Sequence, residues 1–239
     1  MPVIDLYTKP RKNSIMSAGK IRAIITGATG MVGEGVLHEC LQHPLVEAVL
    51  VINRKPGVVS HPKLKEIVHK DFFNLTAIED QLKGYNACYF CLGISSVGVK
   101  KDEYYKITYV LTMHVAGTLA RYNPDMTFVY VSGAGTDSSE RGRVNWARVK
   151  GKTENDLMKL PFKKVFPFRP GFMKPTKGLK NTLSFYKYIG WLYPLGRAIS
   201  PNNYCTLREV GLAMIHVVNS PDNRKIITGR DIIELAKAG

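Results

Sequence analysis

The run Thr26-Gly27-Ala28-Thr29-Gly30-Met31-Val32-Gly33-Glu34-Gly35 follows directly on the mostly apolar stretch 21–25. That stretch predicts a β-strand, and the residues from Met31 onward predict a helix. Glycines at 27, 30 and 33 let the backbone turn tightly between the two and come close to a pyrophosphate. The helix N-terminus offers free N–H groups and the positive end of its dipole. The spacing departs from G-x-G-x-x-G, a weak signal by itself; its place at a strand-to-helix junction gives it weight. Gly27, Thr29, Gly30, Met31, Val32 and Gly33 are therefore expected to hold the phosphates of a dinucleotide.

The second apolar segment ends Val51-Ile52-Asn53-Arg54-Lys55. A site that prefers NAD places Asp or Glu here, to bind both ribose hydroxyls. No acid is present. Arg54 supplies a planar cation suited to a 2′-phosphate, so the expected coenzyme is NADP, with NAD less favoured and Asn53 and Arg54 as contacts. Asp71 and Phe72, after the third strand, are expected at the adenine edge and ring. Cys91, Leu92 and Gly93, after the fourth, are expected beside the adenosine ribose and pyrophosphate.

The chemical end of the site begins at Val129-Tyr130-Val131-Ser132, which brings a serine to the end of a strand. Downstream come the V-K-G-x-x-E run Val149–Glu154 and then Arg169-Pro170-Gly171. With the T-G-A-T-G-x-x-G loop, these features resemble the short-chain dehydrogenase/reductase superfamily over roughly residues 21 to 220. More narrowly, they look like its atypical, extended, NAD(P)-dependent epimerase/dehydratase-like members, similar to the Tat-interacting oxidoreductase-like group. In that superfamily a Tyr and a Lys four residues later share one helix face. The Lys cation lowers the Tyr pKa and holds the nicotinamide ribose, and a Ser polarises the substrate oxygen. The resemblance implies catalytic roles for Ser132 and Lys150, and cofactor contacts for Lys150, Pro170 and Gly171.

The Tyr position is occupied by Trp146. An indole N–H donates a hydrogen bond but does not release a proton near neutral pH. None of the twelve tyrosines has a lysine four residues later. Two readings follow. One is an NADP-dependent reductase of an unknown carbonyl substrate with a non-standard proton donor, for which Tyr104, Tyr105, Asp137 and Ser138 are candidates. The other is a catalytically inactive NADP-binding sensor or scaffold. Thr176 and Lys177 are further candidates for contact with a cofactor phosphate or a substrate anion.

The elements that must position these residues alternate. Strands are expected at Ile21–Thr26, Ala48–Ile52, Lys65–His69, Ala87–Cys91, Thr127–Val131 and Lys164–Phe168. Helices are expected at Met31–Gln42, Leu75–Leu82, Glu103–Tyr122 (stopped by Asn123-Pro124) and Asn145–Leu160. Short apolar strands alternating with helices define an α/β fold, a doubly wound parallel sheet (Rossmann fold). Ligand then lies at the carboxyl ends of the strands, where strand order reverses. After Pro170 a helix at Leu207–Val218 and a short strand at Ile226–Thr228 are expected. Residues 1–19 read as a flexible leader and 20–239 as one domain, with 171–239 as a small C-terminal extension on the substrate side.

The formal net charge of +15 favours anionic partners. The basic residues are scattered, and no nucleic-acid-binding signature is present, so no specific nucleic acid is expected. No apolar run is long enough to span a bilayer, and the aromatic stretch Phe185–Tyr193 is read first as packing in the lid or core, then as the lining of a pocket, and last as a peripheral membrane contact. With no signal segment, a cytoplasmic location is expected. Cys88 and Cys91 have C-x-x-C spacing, but on one strand they face opposite ways, which argues against a metal or a disulfide. The six histidines show no metal-ligand spacing, and only His114 lies on a helix expected near the cleft. The helices at Glu103–Tyr122 and Asn145–Leu160 make an oligomer interface conceivable.

Overall fold

The computed structural model describes residues 19–181, 193–200 and 203–238. The expected leader, apart from Gly19, and the aromatic stretch, apart from Tyr193, lie outside them. In chain order the first half contains β1 (Ile21–Thr26), α1 (Met31–Gln42), β2 (Val46–Asn53), β3 (Leu64–Val68), a 3-10 turn (Thr76–Leu82) and β4 (Ala87–Phe90). Then α2 (Lys101–Tyr105) runs through a π-helical turn, Lys106–Val110, into α3 (Leu111–Tyr122), followed by β5 (Thr127–Val131), α4 (Asn145–Leu157) and β6 (Lys164–Arg169). The remainder is β7 (Phe172–Lys174), α5 (Tyr193–Ile199), β8 (Tyr204–Thr206), α6 (Leu207–Asn219), β9 (Ile227–Thr228) and α7 (Gly229–Ala236).

Seven strands form one parallel sheet in the order β3-β2-β1-β4-β5-β6-β9. Order reverses between β1 and β4, so a crevice opens at their carboxyl ends, as expected for a doubly wound sheet. Both faces are covered, which is why the central strands read as unbroken apolar runs. On one face Val36, Leu37, Val210, Met214 and Ile232 pack on Ile21, Ile25 and Val49. On the other, Ile78, Leu82, Val115, Leu119 and Leu157 pack on Ile24, Leu50 and Phe128. Each such side chain, fully buried, stabilises the fold by about 1.5–3 kcal/mol.

The differences from the sequence reading lie mainly at element ends. The strand β2 starts two residues early, because Val46 pairs with Ile21 through a register shift. The segment expected as a helix at Leu75–Leu82 is a 3-10 turn, anchored by buried Leu75, Ile78 and Leu82. The fourth helix stops at Leu157, three residues short of the expectation. A parallel pair, β7 with β8, and two helices, α5 and α7, were not expected. The two strands of that pair are three residues each, too short for a pattern of period two to show.

The crossing of β1 and α1 sets the tolerance of the fold to added atoms. A Cβ on Gly33 would lie 2.2 Å from the Gly27 carbonyl oxygen, whereas one on Gly117, inside α3, meets nothing within 4 Å. Gly33→Ala is expected to cost about 2 kcal/mol or more, since neither backbone can yield. Gly117→Ala is expected to stabilise by about 0.5–1 kcal/mol through helix propensity. Urea unfolding of the two variants checks both signs.

Candidate functional site

The site is built on the first β–α junction. Gly27 has φ of 72°, and a Cβ there would lie 2.8 Å from the Cys91 carbonyl group and the Leu92 nitrogen. Both the backbone angle and the close approach of the β4 end demand glycine. Gly30 caps α1 without a side-chain hydrogen bond, its own N–H donating to the Gly27 oxygen at 2.9 Å. The first amide to close the helical ladder is that of Glu34, on the Gly30 oxygen at 2.8 Å. The N–H groups of Met31, Val32 and Gly33 therefore precede the ladder and are available to an anion.

Beside this junction is a cavity of about 240 Å³. Gly27, Thr29 and Gly30 line it from the first junction, Asn53 and Arg54 from the end of β2, Phe72 from beyond β3, and Cys91, Leu92 and Gly93 from the end of β4. Nine residues expected from sequence thus meet in one space; among the described residues Ile52 is the only other one that lines it. Asn53 is buried, and its Nδ2 donates to Glu66 Oε1 at 2.7 Å. Its Oδ1 is buried without a hydrogen-bond partner among the described residues, an acceptor that a ligand hydroxyl or amino group would satisfy. Desolvation pushes the Cys91 thiol up to about 12, so it is a neutral wall rather than a nucleophile.

Asp71 does not line that cavity. Its Oδ1 accepts the Phe73 N–H at 2.9 Å, which makes it the former of the turn that presents Phe72. A second, larger opening of about 540 Å³ is lined by Thr29, Arg54, Lys55 and Lys70. Lys55 and Lys70 had not been singled out in the sequence. Their signal was available: they follow β2 and β3, neighbouring parallel strands whose carboxyl ends lie side by side.

At the other end, Ser132 and Lys150 do meet. Lys150 Nζ donates to the Ser132 carbonyl oxygen in a short contact. The Ser132 N–H and Oγ both donate to the Phe168 carbonyl, at 2.9 and 3.1 Å. Burial lowers the Lys150 ammonium to about 8, with Glu154 opposing the shift. Glu154 is fully buried and paired with Arg169, whose Nε donates to it at 3.0 Å and whose second nitrogen also reaches Ser138 Oγ. That pair ties β6 to α4 and to the loop after β5. A Cβ on Gly151 would lie 1.8 Å from the Asp137 carbonyl oxygen, so the V-K-G glycine is where that loop rests on α4. The Pro170 carbonyl accepts the Ala134 N–H at 2.9 Å, and Gly171 lies against the Asn203 backbone.

The Trp146 indole lies over Gly135, 3.3 Å from where a Cβ would stand. Two of the four candidate replacement donors, Asp137 and Ser138, are otherwise engaged. Asp137 accepts from the Ser139 N–H and hydroxyl and from the Gly142 N–H; these bonds, that of the Ser139 hydroxyl foremost, hold its carboxyl below the usual range. It is a loop staple and stays ionised at neutral pH. Ser138 Oγ is taken by Arg169. Tyr104 is buried, and desolvation raises its phenol. Tyr105 is exposed, tilted on Tyr109 at 5.0 Å. His114 is exposed on α3. Thr176 and Lys177 line a different cavity altogether.

A parallel sheet with this order and a glycine-lined crevice at the switch point defines a dinucleotide-fold protein of the short-chain dehydrogenase/reductase type. The chain belongs to the NAD dependent epimerase/dehydratase family, whose profile matches residues 23–145. It is similar to the protein FMP52-1, mitochondrial, of Scheffersomyces stipitis, 29% identical over 168 residues, 68% of this chain and 73% of that one. It is also similar to the protein FMP52, mitochondrial, of Saccharomyces cerevisiae, 23% identical over 229 residues, 90% and 96% of the two chains. Among solved structures, the fold is shared with the ADP-L-glycero-D-manno-heptose-6-epimerase of Helicobacter pylori, with a TM-score of 0.63 at 15% identity, covering 92% of this chain and 82% of that one. The cytoplasmic expectation is corrected by these relatives, which are named mitochondrial proteins. Routing to an organelle relies on features other than an apolar signal segment.

Lys150 makes the site's electrostatics measurable. Its folded value of about 8 lies below the ordinary 10.5. The unfolded chain therefore binds more protons between these values, and stability rises with pH across that window. Lys150→Met is expected to remove that rise. Urea unfolding of wild type and variant at several pH values between about 8 and 10.5 measures it.

Proposed function

We propose that this chain binds NADP(H) across the crevice and acts on a carbonyl substrate as a reductase lacking the usual phenol. The supporting observation is the tip of β2. Arg54, Lys55 and Lys70 line one opening beside Thr29, with no carboxylate among the described lining residues. Three cations there suit a 2′-phosphate, and a carboxylate that would select the free hydroxyl is missing. Asn53 Oδ1 offers an unsatisfied acceptor to the adenosine, Phe72 a ring face, and the Met31 and Val32 amides the pyrophosphate contact. Lys150 would hold the nicotinamide ribose, while Pro170 and Gly171 flank the ring. When bound, NADPH supplies the hydride; the protein positions it. Trp146 would donate a hydrogen bond from its indole N–H to the substrate oxygen, and the proton that turns the alkoxide into an alcohol would come from water. The relatives' names support a mitochondrial location for this chain as well.

A second reading, binding without turnover, is favoured by the engaged state of Asp137, Ser138 and the Ser132 hydroxyl. Two measurements separate the possibilities. Calorimetry is expected to show NADPH binding more tightly than NADH, with Arg54→Ala weakening NADPH by about tenfold or more and leaving NADH unchanged. Equal affinities for the two coenzymes would remove the NADP assignment. Trp146→Tyr completes a Tyr-x-x-x-Lys pair with Lys150. It is expected to raise NADPH consumption with an aldehyde and ketone panel by about 10²–10⁴. A panel flat for both proteins, with tight NADPH binding, would leave the sensor reading in place.

A further inference from the structure

A cavity of about 520 Å³ lies between the end of β7, the start of α6 and the end of α7. It shares no lining residue with the dinucleotide cavity. Four exposed cations line it: Lys174, Lys177, Arg208 and Lys237. Among the described lining residues the one carboxylate, Glu209, is already committed. It accepts both Arg197 terminal nitrogens at 2.8 and 2.7 Å and the Thr206 N–H at 2.7 Å. Among the described residues the four cations have little else to neutralise them. Arg208 Nε is 3.9 Å from Glu39 Oε2, and Lys174 Nζ stands 5.1 Å over the Tyr193 ring. Like charges gathered around one concavity repel one another and raise the local concentration of anions.

The start of α6 adds to this field. Thr206 caps the helix through the Glu209 N–H at 3.1 Å, and the Leu207 and Arg208 amides come before it, at the positive end of a 13-residue helix. The volume falls in the range of small-ligand pockets. Arg208 brings a planar fork that matches phosphate oxygens, and the lysines bring point charges. We propose that this cavity is a second binding site, for a multiply charged phosphate anion, either free as a polyphosphate or carried as the headgroup of an acidic phospholipid. The site accounts for Thr176 and Lys177, which the dinucleotide crevice does not use.

The test uses the full chain and inorganic pyrophosphate, titrated at constant ionic strength in the presence of saturating NADPH and followed by backbone amide NMR shifts. Pyrophosphate is expected to move the amides of Lys177, Leu207 and Arg208. The variant Lys177→Gln/Arg208→Gln is expected to weaken binding by about tenfold or more. The variant Lys100→Gln/Lys101→Gln, with the same change in net charge, is expected to bind like wild type. Sedimentation with phosphatidylcholine vesicles, with and without phosphatidic acid, distinguishes the sources. Binding of pyrophosphate alone identifies a free anion; binding to phosphatidic acid vesicles that Lys177→Gln/Arg208→Gln loses identifies a headgroup. No saturable binding of either probe, or equal weakening by the two double variants, overturns the proposal. Arg54→Ala leaves this site untouched, so loss of the NADP assignment and loss of this site are separate results.

Discussion

The contact between the Gly27 carbonyl and Gly33 is the constraint on which the rest depends. There is no room at Gly33 for even a methyl group, and none at Gly27 against the backbone of Cys91 and Leu92. These two approaches draw α1 down onto the end of β1 and bring the end of β4 against the turn. The crevice at the switch point is the space left by that closeness. Its first three amides precede the helical ladder, and the helix begins there without a side-chain cap to occupy them. Close packing of backbones and exposure of unpaired N–H groups are thus two aspects of one turn.

A second close approach organises the other end of the crevice. Gly151 lets the Asp137 backbone rest on α4, and the buried Glu154–Arg169 pair locks the same helix to β6. Burying an ion pair is costly, and the attraction only offsets desolvation when the geometry is good and the remaining hydrogen-bonding positions are filled. Here Ser138 fills one of them. The pair is better understood as fixing register among β6, α4 and the loop after β5 than as a net source of stability. Lys150, one turn from Glu154 on α4, is thereby held on the Ser132 carbonyl.

Much of this was legible in the sequence because it rests on local chemistry. The glycine loop, the acid-free end of β2 and the aromatic after β3 each sit where a parallel strand ends, and strand ends are readable from apolar runs. What escaped depends on adjacency between distant segments. Lys55 and Lys70 are separated in sequence and become neighbours only through the pairing of β2 with β3. Asp137 read as a potential acid because composition does not reveal that three donors already occupy its carboxylate. Lys177 read as a cofactor contact because its position after Pro170-Gly171 was clear, while the direction of the chain beyond β7 was not. The three-residue strands β7 and β8 gave no period by which to detect them.

The central claim is that backbone amides at the opening of α1 receive the pyrophosphate of a dinucleotide. A crystal structure of the chain grown with NADP tests it most directly. The account predicts pyrophosphate oxygens within hydrogen-bond reach of the Met31 and Val32 amides, with the adenosine beside Asn53 and Phe72. A crystal in which that crevice stays empty at saturating coenzyme, or in which the coenzyme lies elsewhere on the molecule, would contradict it.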